Sequence, residues 1–99
     1  MSKLERDLQK ACIAKASSLG VLAINIHGSG WNNKGLPDLL CFHGGRAVAV
    51  ELKSPDTGYS PQPDQMIWRR RFLAHDIPHA FVDDLTSFQQ FIEKELLHV

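Results

Sequence analysis

Hydrophobic and polar residues in the first third of the chain alternate in a way that predicts a helix, a strand and a loop. Apolar side chains recur at helical spacing over residues 3–19, and Gly20 follows as a helix terminator. Residues 21–26 form a short apolar run of the kind found in strands. Glycine, asparagine and serine dominate residues 27–35, a composition typical of a loop.

Two further apolar runs, at residues 37–43 and 46–53, flank Gly44-Gly45 and are predicted to pair as a β-hairpin. Both runs are apolar at nearly every position, which indicates strands covered on both faces, as in the centre of an α/β sheet. Small Ala47 and Ala49 on one face leave room for a helix to pack closely.

The second half of the chain predicts two helices separated by a short strand. After a loop at residues 54–59, Ser60 is a candidate N-cap, Pro61 a first-turn proline, and the helix continues to about residue 75. Its helical spacing predicts burial of Trp68, Phe72 and Leu73.

Pro78 ends that region before a predicted strand at residues 79–82, and Asp84 or Thr86 can cap a last helix. The order is therefore α-β-β-β-α-β-α. It predicts an α/β fold in which one central mixed sheet is flanked by helices.

Composition places the chain among ordinary globular proteins. Its 99 residues suggest one domain over residues 1–99, and 43% are hydrophobic and 22% charged. Neither a membrane span nor a signal peptide is evident, and Cys12 and Cys41 occupy apolar positions, so we expect buried thiols in a cytoplasmic protein. Eleven basic residues balance eleven acidic ones, so any nucleic-acid surface must be a local patch, of which Arg69-Arg70-Arg71 is the densest.

The hairpin also predicts a cluster of charged side chains. If Gly44-Gly45 is a two-residue turn, Asp38 lies directly opposite Glu51, and Lys53 points to the same face as Glu51. Opposed residues have Cβ atoms roughly 4.5–5.5 Å apart, where two like charges repel each other. A divalent cation is the natural compensator, and this geometry therefore predicts an active site.

Motifs around this cluster resemble a nuclease family. The segments Gly35-Leu36-Pro37-Asp38, Glu51-Leu52-Lys53-Ser54 and Ser60 to Gln65, followed by Trp68, resemble the VRR-NUC (virus-type replication-repair nuclease) branch of the PD-(D/E)xK superfamily. The resemblance spans nearly the whole chain and implies a single restriction-endonuclease-like domain. It also implies Mg²⁺-dependent cleavage of DNA, with Mn²⁺ able to substitute. The substrate would be branched DNA such as Holliday junctions, and the enzyme a homodimer.

The resemblance assigns roles to individual residues. Asp38 and Glu51 would be metal ligands, Lys53 the motif lysine, and Gln65 the glutamine that opens the following helix. Glu5 matches the acidic residue of the first helix that often completes the metal site. From the residues themselves, the carbonyl of Leu52 is a further candidate ligand, because it lies between the two motif side chains. Lys53 is placed either to deprotonate or orient water or to neutralise the phosphate, and Gln65 to position water or phosphate.

Other polar residues are candidates for contact with DNA. His27, Ser29 and Lys34 belong to the glycine-rich loop ahead of Asp38, and Arg69 belongs to the basic run. For the loop, the alternative is an ordinary connection. The five histidines lack zinc-ligand spacing.

Two other functions are compatible with the same fold. One is a non-catalytic DNA-binding module, although the full set of motif residues argues against it. The other is a site-specific restriction-type endonuclease, for which 99 residues leave little room for target recognition.

Overall fold

The computed structural model describes residues 3–26, 34–54 and 61–98, which form one four-stranded sheet flanked by helices. The strands lie side by side in the order β1-β2-β3-β4; the first two pairs are antiparallel, and β3 and β4 are parallel. The predicted α/β class and element order are confirmed. In chain order the elements are α1 (Lys3–Ser18), β1 (Leu22–Asn25), β2 (Leu39–His43), β3 (Arg46–Leu52), α2 (Pro63–Ala74), β4 (His79–Val82) and α3 (Leu85–Ile92), which continues as a π-helical segment, Glu93–Leu97.

Helix α1 ends where the sequence predicts, within one residue. Gly20 adopts a left-handed φ of +76°, and the N–H of Val21 donates to the carbonyl of Ala16 at 2.8 Å. This arrangement satisfies a carbonyl at the helix end, and glycine adopts it without a Cβ penalty. At 16 residues, α1 is the longest helix of the described ranges, within which no helix is long and apolar enough to cross a membrane.

The turn between β2 and β3 has the predicted two-residue form. Gly44 and Gly45 have φ angles of +58° and +77°, which suits the twist of a tight hairpin. His43 pairs with Arg46 and Leu39 with Val50, so the predicted register is confirmed. The β2 strand begins at Leu39 rather than at residue 37, because Pro37 has no N–H to donate to a ladder.

One face of the sheet is closed by α1 and α3. Alternate residues of β2 and β3 point into this core, where they meet Cys12 and Ala16 of α1 and Phe88 and Ile92 of α3. Burial raises the pKa of the Cys12 and Cys41 thiols to about 12, and both cysteines are free, as predicted. The strand residues of this core are Leu39, Cys41, Val48, Val50 and Leu52.

The opposite face is covered only in part. The prediction of strands buried on both sides is confirmed for residues 48–52 of β3 and is wrong for β2, whose Leu40 and Phe42 are half-buried. Helix α2 lies against β4 on this face and has no fully buried residue. The predicted burial of Trp68, Phe72 and Leu73 is also wrong: the two rings are half-buried, and Leu73 is 45% exposed. Leu22 lies on β1, the edge strand farthest from β4, and is 61% exposed. Helical spacing shows that residues share a face, but it does not show that another element covers that face.

Both later helices begin at caps. The N-cap of α2 is Gln62 rather than Ser60, which lies outside the described residues. Gln62 precedes Pro63, and a residue before proline is driven out of the helical region into extended backbone, here at ψ 151°. Asp84 caps α3, as one of the two predicted candidates, by accepting from the N–H of Ser87 at 2.7 Å, a bond that lowers the pKa of Asp84.

Candidate active site

Asp38 lies at the entrance to β2 and reaches across to the end of β3. Its carboxylate is buried, and Oδ2 accepts a hydrogen bond from the backbone N–H of Leu52 at 2.7 Å. The backbone carbonyl of Asp38 in turn accepts from the N–H of Ile26, which holds the end of β1 beside it. Asp38 is therefore fixed by contacts on both sides before any ligand arrives.

Glu51 shares this buried space with Asp38. It is 3% exposed, and its Oε2 atom is buried without a hydrogen-bond partner among the described residues. The pKa of Glu51 is raised to about 9, first by burial and then by the charge of Asp38 and a hydrogen bond between the two carboxyls. Lys53 opposes this shift, and the charge of Glu5 adds to it. The predicted juxtaposition of two acids and a lysine is present.

Lys53 connects this cluster to helix α2. Its Nζ donates to Oε1 of Gln65 at 2.8 Å, and the same oxygen accepts from the N–H of Gln62 at 2.9 Å. The side chain of Gln65 thus caps the first turn of α2 and holds the lysine amine at the same time. Sequence reasoning assigned Gln65 to water or phosphate; the structure adds an internal role for the acceptor end of its amide.

The segment that leads into Asp38 is packed tightly against the start of α2. A Cβ atom on Gly35 would overlap the backbone of Asp64, and Gly35 has a left-handed φ of +88°. One turn further along α2, Nε1 of Trp68 donates to the carbonyl of Lys34 at 3.1 Å. Only glycine fits at residue 35, and this contact sets the distance between the helix and the acidic cluster.

Phe81 is a member of the site that the sequence analysis missed. It pairs with Glu51 across the parallel strands β3 and β4, and the Nζ of Lys53 lies 5.9 Å from the centre of its ring. The amine therefore has a carboxylate, an amide oxygen and an aromatic face around it. The sequence carries no signal for this contact, because a parallel neighbour joined through a helix cannot be assigned from spacing alone.

Arg69 is turned toward β4. Its Nη1 donates to the carbonyl of His79 at 2.5 Å and lies 3.2 Å from Nδ1 of the same residue, while its guanidinium lies 6.0 Å from the Phe81 ring centre. Burial and the charge of Arg69 lower the pKa of His79 to about 4, so the ring is neutral near pH 7. In the structure Arg69 braces the strand beside the acidic cluster, and its predicted contact with DNA stays a prediction.

Glu5 and Lys34 lie near the acidic cluster and the start of α2, respectively. Glu5 is half-buried on α1, close enough for its charge to affect Glu51, and Lys34 is exposed. Lys34 borders a cavity of about 380 Å³ at the start of α2, which Gln65 also lines. His27 and Ser29 lie outside the described residues, so their predicted contacts with DNA stay predictions.

The acidic cluster suits a hard cation that brings some of its own ligands. Within residues 3–26, 34–54 and 61–98, no three His, Cys, Asp or Glu side chains form a group that could hold a metal ion. Mg²⁺ commonly binds one or two carboxylates and fills its other positions with water and substrate phosphate. Asp38 and Glu51 match that requirement. A cation would give the buried Oε2 atom of Glu51 a partner and would offset the repulsion that arises between the two carboxylates when Glu51 is deprotonated.

Comparison with known proteins supports the fold assignment. No family model matches the sequence, and no curated protein does. Among solved structures, a chain described as a VRR_NUC domain superposes with a TM-score of 0.75 at 26% sequence identity. The match covers 93% of this chain and 97% of that one. The chain therefore has the VRR-NUC fold, and its predicted resemblance to the VRR-NUC family is confirmed.

Proposed function

We propose that this protein is a metal-dependent DNA endonuclease that hydrolyses phosphodiester bonds in structured or branched DNA, such as Holliday junctions. The observation that carries the proposal is the buried pair Asp38 and Glu51 with Lys53 beside them. Buried groups with strongly shifted pKa values and a charged partner cluster at functional sites, and Glu51 beside Asp38 is such a group. The similarity in fold to a VRR_NUC domain supports a nuclease over other uses of such a pair.

Asp38 and Glu51 would hold Mg²⁺ or Mn²⁺, with the Leu52 carbonyl and Glu5 as further proposed ligands. Such an ion, when bound, polarises the phosphate and lowers the pKa of a bound water. Asp38 is held for this task by the Leu52 N–H, which fixes its orientation. Glu51 would bind the cation through its buried Oε2 atom. Because its raised pKa keeps the carboxyl group protonated near pH 7, cation binding would release that proton.

Lys53 and Gln65 would act on the phosphate and the attacking water. The bond to Oε1 of Gln65 holds the Lys53 amine at the acidic cluster, where it can neutralise phosphate charge or orient the water. Because Oε1 already accepts two hydrogen bonds, Gln65 would contact substrate through its amide N–H₂ group. Lys34, exposed beside the same helix start, would contact the DNA backbone.

We further propose that the enzyme works as a homodimer. A chain with no net charge offers few phosphate contacts, and a two-fold dimer would double them. Two active sites related by a two-fold axis would also suit symmetric cleavage of a junction. Sedimentation as a monomer at a concentration that fully cleaves junctions would contradict this part of the proposal.

The test is nicking of junction and duplex DNA by the wild type and by Glu51→Gln, with Mg²⁺ and separately with Mn²⁺. Loss of one charged group at the site should slow nicking by roughly 10²–10³-fold. Glu95→Gln is the matched control, because Glu95 borders the hairpin end of β3, at the opposite end of the strand from Glu51, and it should nick like the wild type.

A Glu51→Gln protein as active as the wild type would reject the assigned site. If the wild type binds DNA but cleaves none of these substrates with either metal, the non-catalytic DNA-binding alternative is supported instead. Cleavage restricted to one duplex sequence would indicate a restriction-type enzyme.

A further inference from the structure

The C-terminal half of α2 and the segment after it border a groove that the proposed chemistry does not use. Trp68 and Phe72, one turn apart, face a cavity of about 400 Å³, and Ile77, which follows the end of the helix, lines it too. Arg71 and His75 complete its lining. These five residues are called the α2 groove. Its lining is mainly apolar and aromatic and includes one guanidinium, a composition typical of ligand sites rather than of helix surfaces.

The rings of the α2 groove are held in place but left partly uncovered. The indole N–H of Trp68 donates to the carbonyl of Lys34, and the Arg71 guanidinium lies 4.8 Å from the centre of the indole ring. Phe72 lies 6.1 Å from Trp68, centre to centre. Both rings are half-buried, and α2 has no fully buried residue. A fixed aromatic surface is therefore presented to solvent beside a cation.

We propose, resting on the proposed nuclease function, that the α2 groove binds an unpaired base of the DNA substrate. Proteins that bind single strands stack bases on aromatic side chains and on arginine planes next to a basic track. Here the stacking groups are Trp68, Phe72 and Arg71, and the basic track is the run that also includes Arg70, an exposed residue.

The position of the groove agrees with this assignment. Trp68 follows Gln65 by three residues and Phe72 by seven, so the rings lie roughly 4.5 and 10 Å along the helix axis from the residue that holds Lys53. Those distances correspond to one to three nucleotides at about 3.4 Å per nucleotide of stacked strand. An unpaired base next to the cleavage point would reach the groove.

Charge favours DNA over a second copy of the chain as the occupant. The α2 groove contains no carboxylate, and its charged member, Arg71, has Arg70 beside it in the sequence. A two-fold contact through this surface would place the same arginines against each other, whereas a polyanion complements them. The proposed substrate thus has duplex and single-stranded parts, such as a flap, an overhang or an open junction.

The test measures binding without cleavage, in buffer containing EDTA. The chain has two tryptophans, Trp31 and Trp68, so a Trp31→Phe background leaves Trp68 as the only fluorescent reporter of that type. The probes are a short blunt duplex and the same duplex with a single-stranded overhang. The overhang should quench Trp68 fluorescence and bind more tightly than the blunt duplex. In Trp68→Ala, measured by anisotropy of labelled DNA, the affinity for the overhang should fall about 5- to 150-fold, which corresponds to ~1–3 kcal/mol per stacked base.

Arg71→Ala provides a second variant, because its exposed side chain can be removed without opening the core. It should reduce the preference for the overhang, whereas Lys94→Ala, which removes an exposed cation from the π-helical segment, should leave the preference unchanged. Retention of the full preference in both Trp68→Ala and Arg71→Ala would overturn the proposal.

Equal affinity of the wild type for the two probes, or a Trp68 signal that changes with protein concentration in the absence of DNA, would also overturn it. The second result would indicate that another copy of the chain covers the groove. Failure of the nuclease assignment is separate: it would appear as unimpaired nicking by Glu51→Gln, whereas the overhang preference is measured without cleavage.

Discussion

The two faces of the sheet are built from the same strands yet are put to opposite uses. Toward α1 and α3, the side chains of Val50 and Leu52 are apolar and at most 1% exposed. Toward α2, the intervening residue Glu51 is equally buried but acidic, and its neighbour Asp38 is acidic as well. Successive residues of one strand therefore supply packing on one side and chemistry on the other.

The comparison shows where this small protein keeps its stability. The closed face buries apolar side chains at no electrostatic cost, and each contributes to the free energy of folding. The α2 face carries two repelling acids, a neutral buried histidine and half-covered aromatic rings. The stability supplied by the closed face must therefore compensate for the α2 face. Substitutions on the two faces should change the free energy of unfolding by different amounts and in different directions.

The largest effect is expected on the closed face, for Phe88→Ala. Phe88 is fully buried between α1 and the sheet, so its truncation should lower the free energy of unfolding by ~3–5 kcal/mol. Urea denaturation measures the loss, and nicking by the folded fraction should be unchanged. Phe91 is half-buried on the same helix, so Phe91→Ala should lower the free energy of unfolding by clearly less than Phe88→Ala does. Equal losses at the two positions would contradict the location of the core.

The opposite sign is expected for Glu51→Gln in metal-free buffer. Folding raises the pKa of Glu51 from 4.5 to about 9, so the folded wild type binds the proton more tightly and loses stability as pH rises from about 4.5 to 9. Glutamine does not titrate, so the variant lacks this pH dependence. Its free energy of unfolding at pH 7 should be ~1–3 kcal/mol higher than that of the wild type, since each pKa unit is worth about 1.4 kcal/mol.

Thermal unfolding across pH tests this, with Glu95→Gln as the control that gains nothing. Addition of Mg²⁺ should stabilise the wild type more than Glu51→Gln, because only the wild type keeps both carboxylates. A variant that is less stable than the wild type at every pH would contradict the raised pKa of Glu51, which burial and then the charge of Asp38 produce.

The smallest effect is expected from His79 and appears only in acid. Its pKa is lowered from 6.5 to about 4, so the unfolded chain takes up a proton in this interval and the folded chain does not. Relative to His79→Gln, the wild type should therefore lose ~1–2 kcal/mol of stability between pH 6.5 and 4. His43→Gln, an exposed position, should show no such difference from the wild type. Parallel pH profiles for wild type and His79→Gln would show that His79 is not held neutral.

The hairpin and its acidic pair could be predicted because one local feature determines them. A two-glycine turn fixes the register, and a register fixes which side chains share a face. The turn alone determines that His43 pairs with Arg46. Counting five residues back along β2 and five forward along β3 then places Asp38 beside Glu51. No long-range contact had to be known.

The parts that could not be predicted depend on contacts between distant segments. Trp68 and Phe72 have the spacing of a buried helix face, but whether they are covered depends on where α2 lies on the sheet. Phe81 became part of the site only because β4 runs parallel to β3. The start of α2 was missed for a local reason: Pro63 overrides the capping preference of Ser60 by keeping Gln62 extended.

The contact between Gly35 and the backbone of Asp64 has a consequence for how this protein can change. The segment that leads to Asp38 meets the start of α2 at Gly35, where there is room only for a hydrogen atom. Any larger side chain would push the two apart and carry Gln65 away from Lys53. Substitutions can therefore change the groups at the edge of the site. The spacing between its acids, Asp38 and Glu51, and the helix that holds Lys53 depends on the absence of a single carbon atom at residue 35.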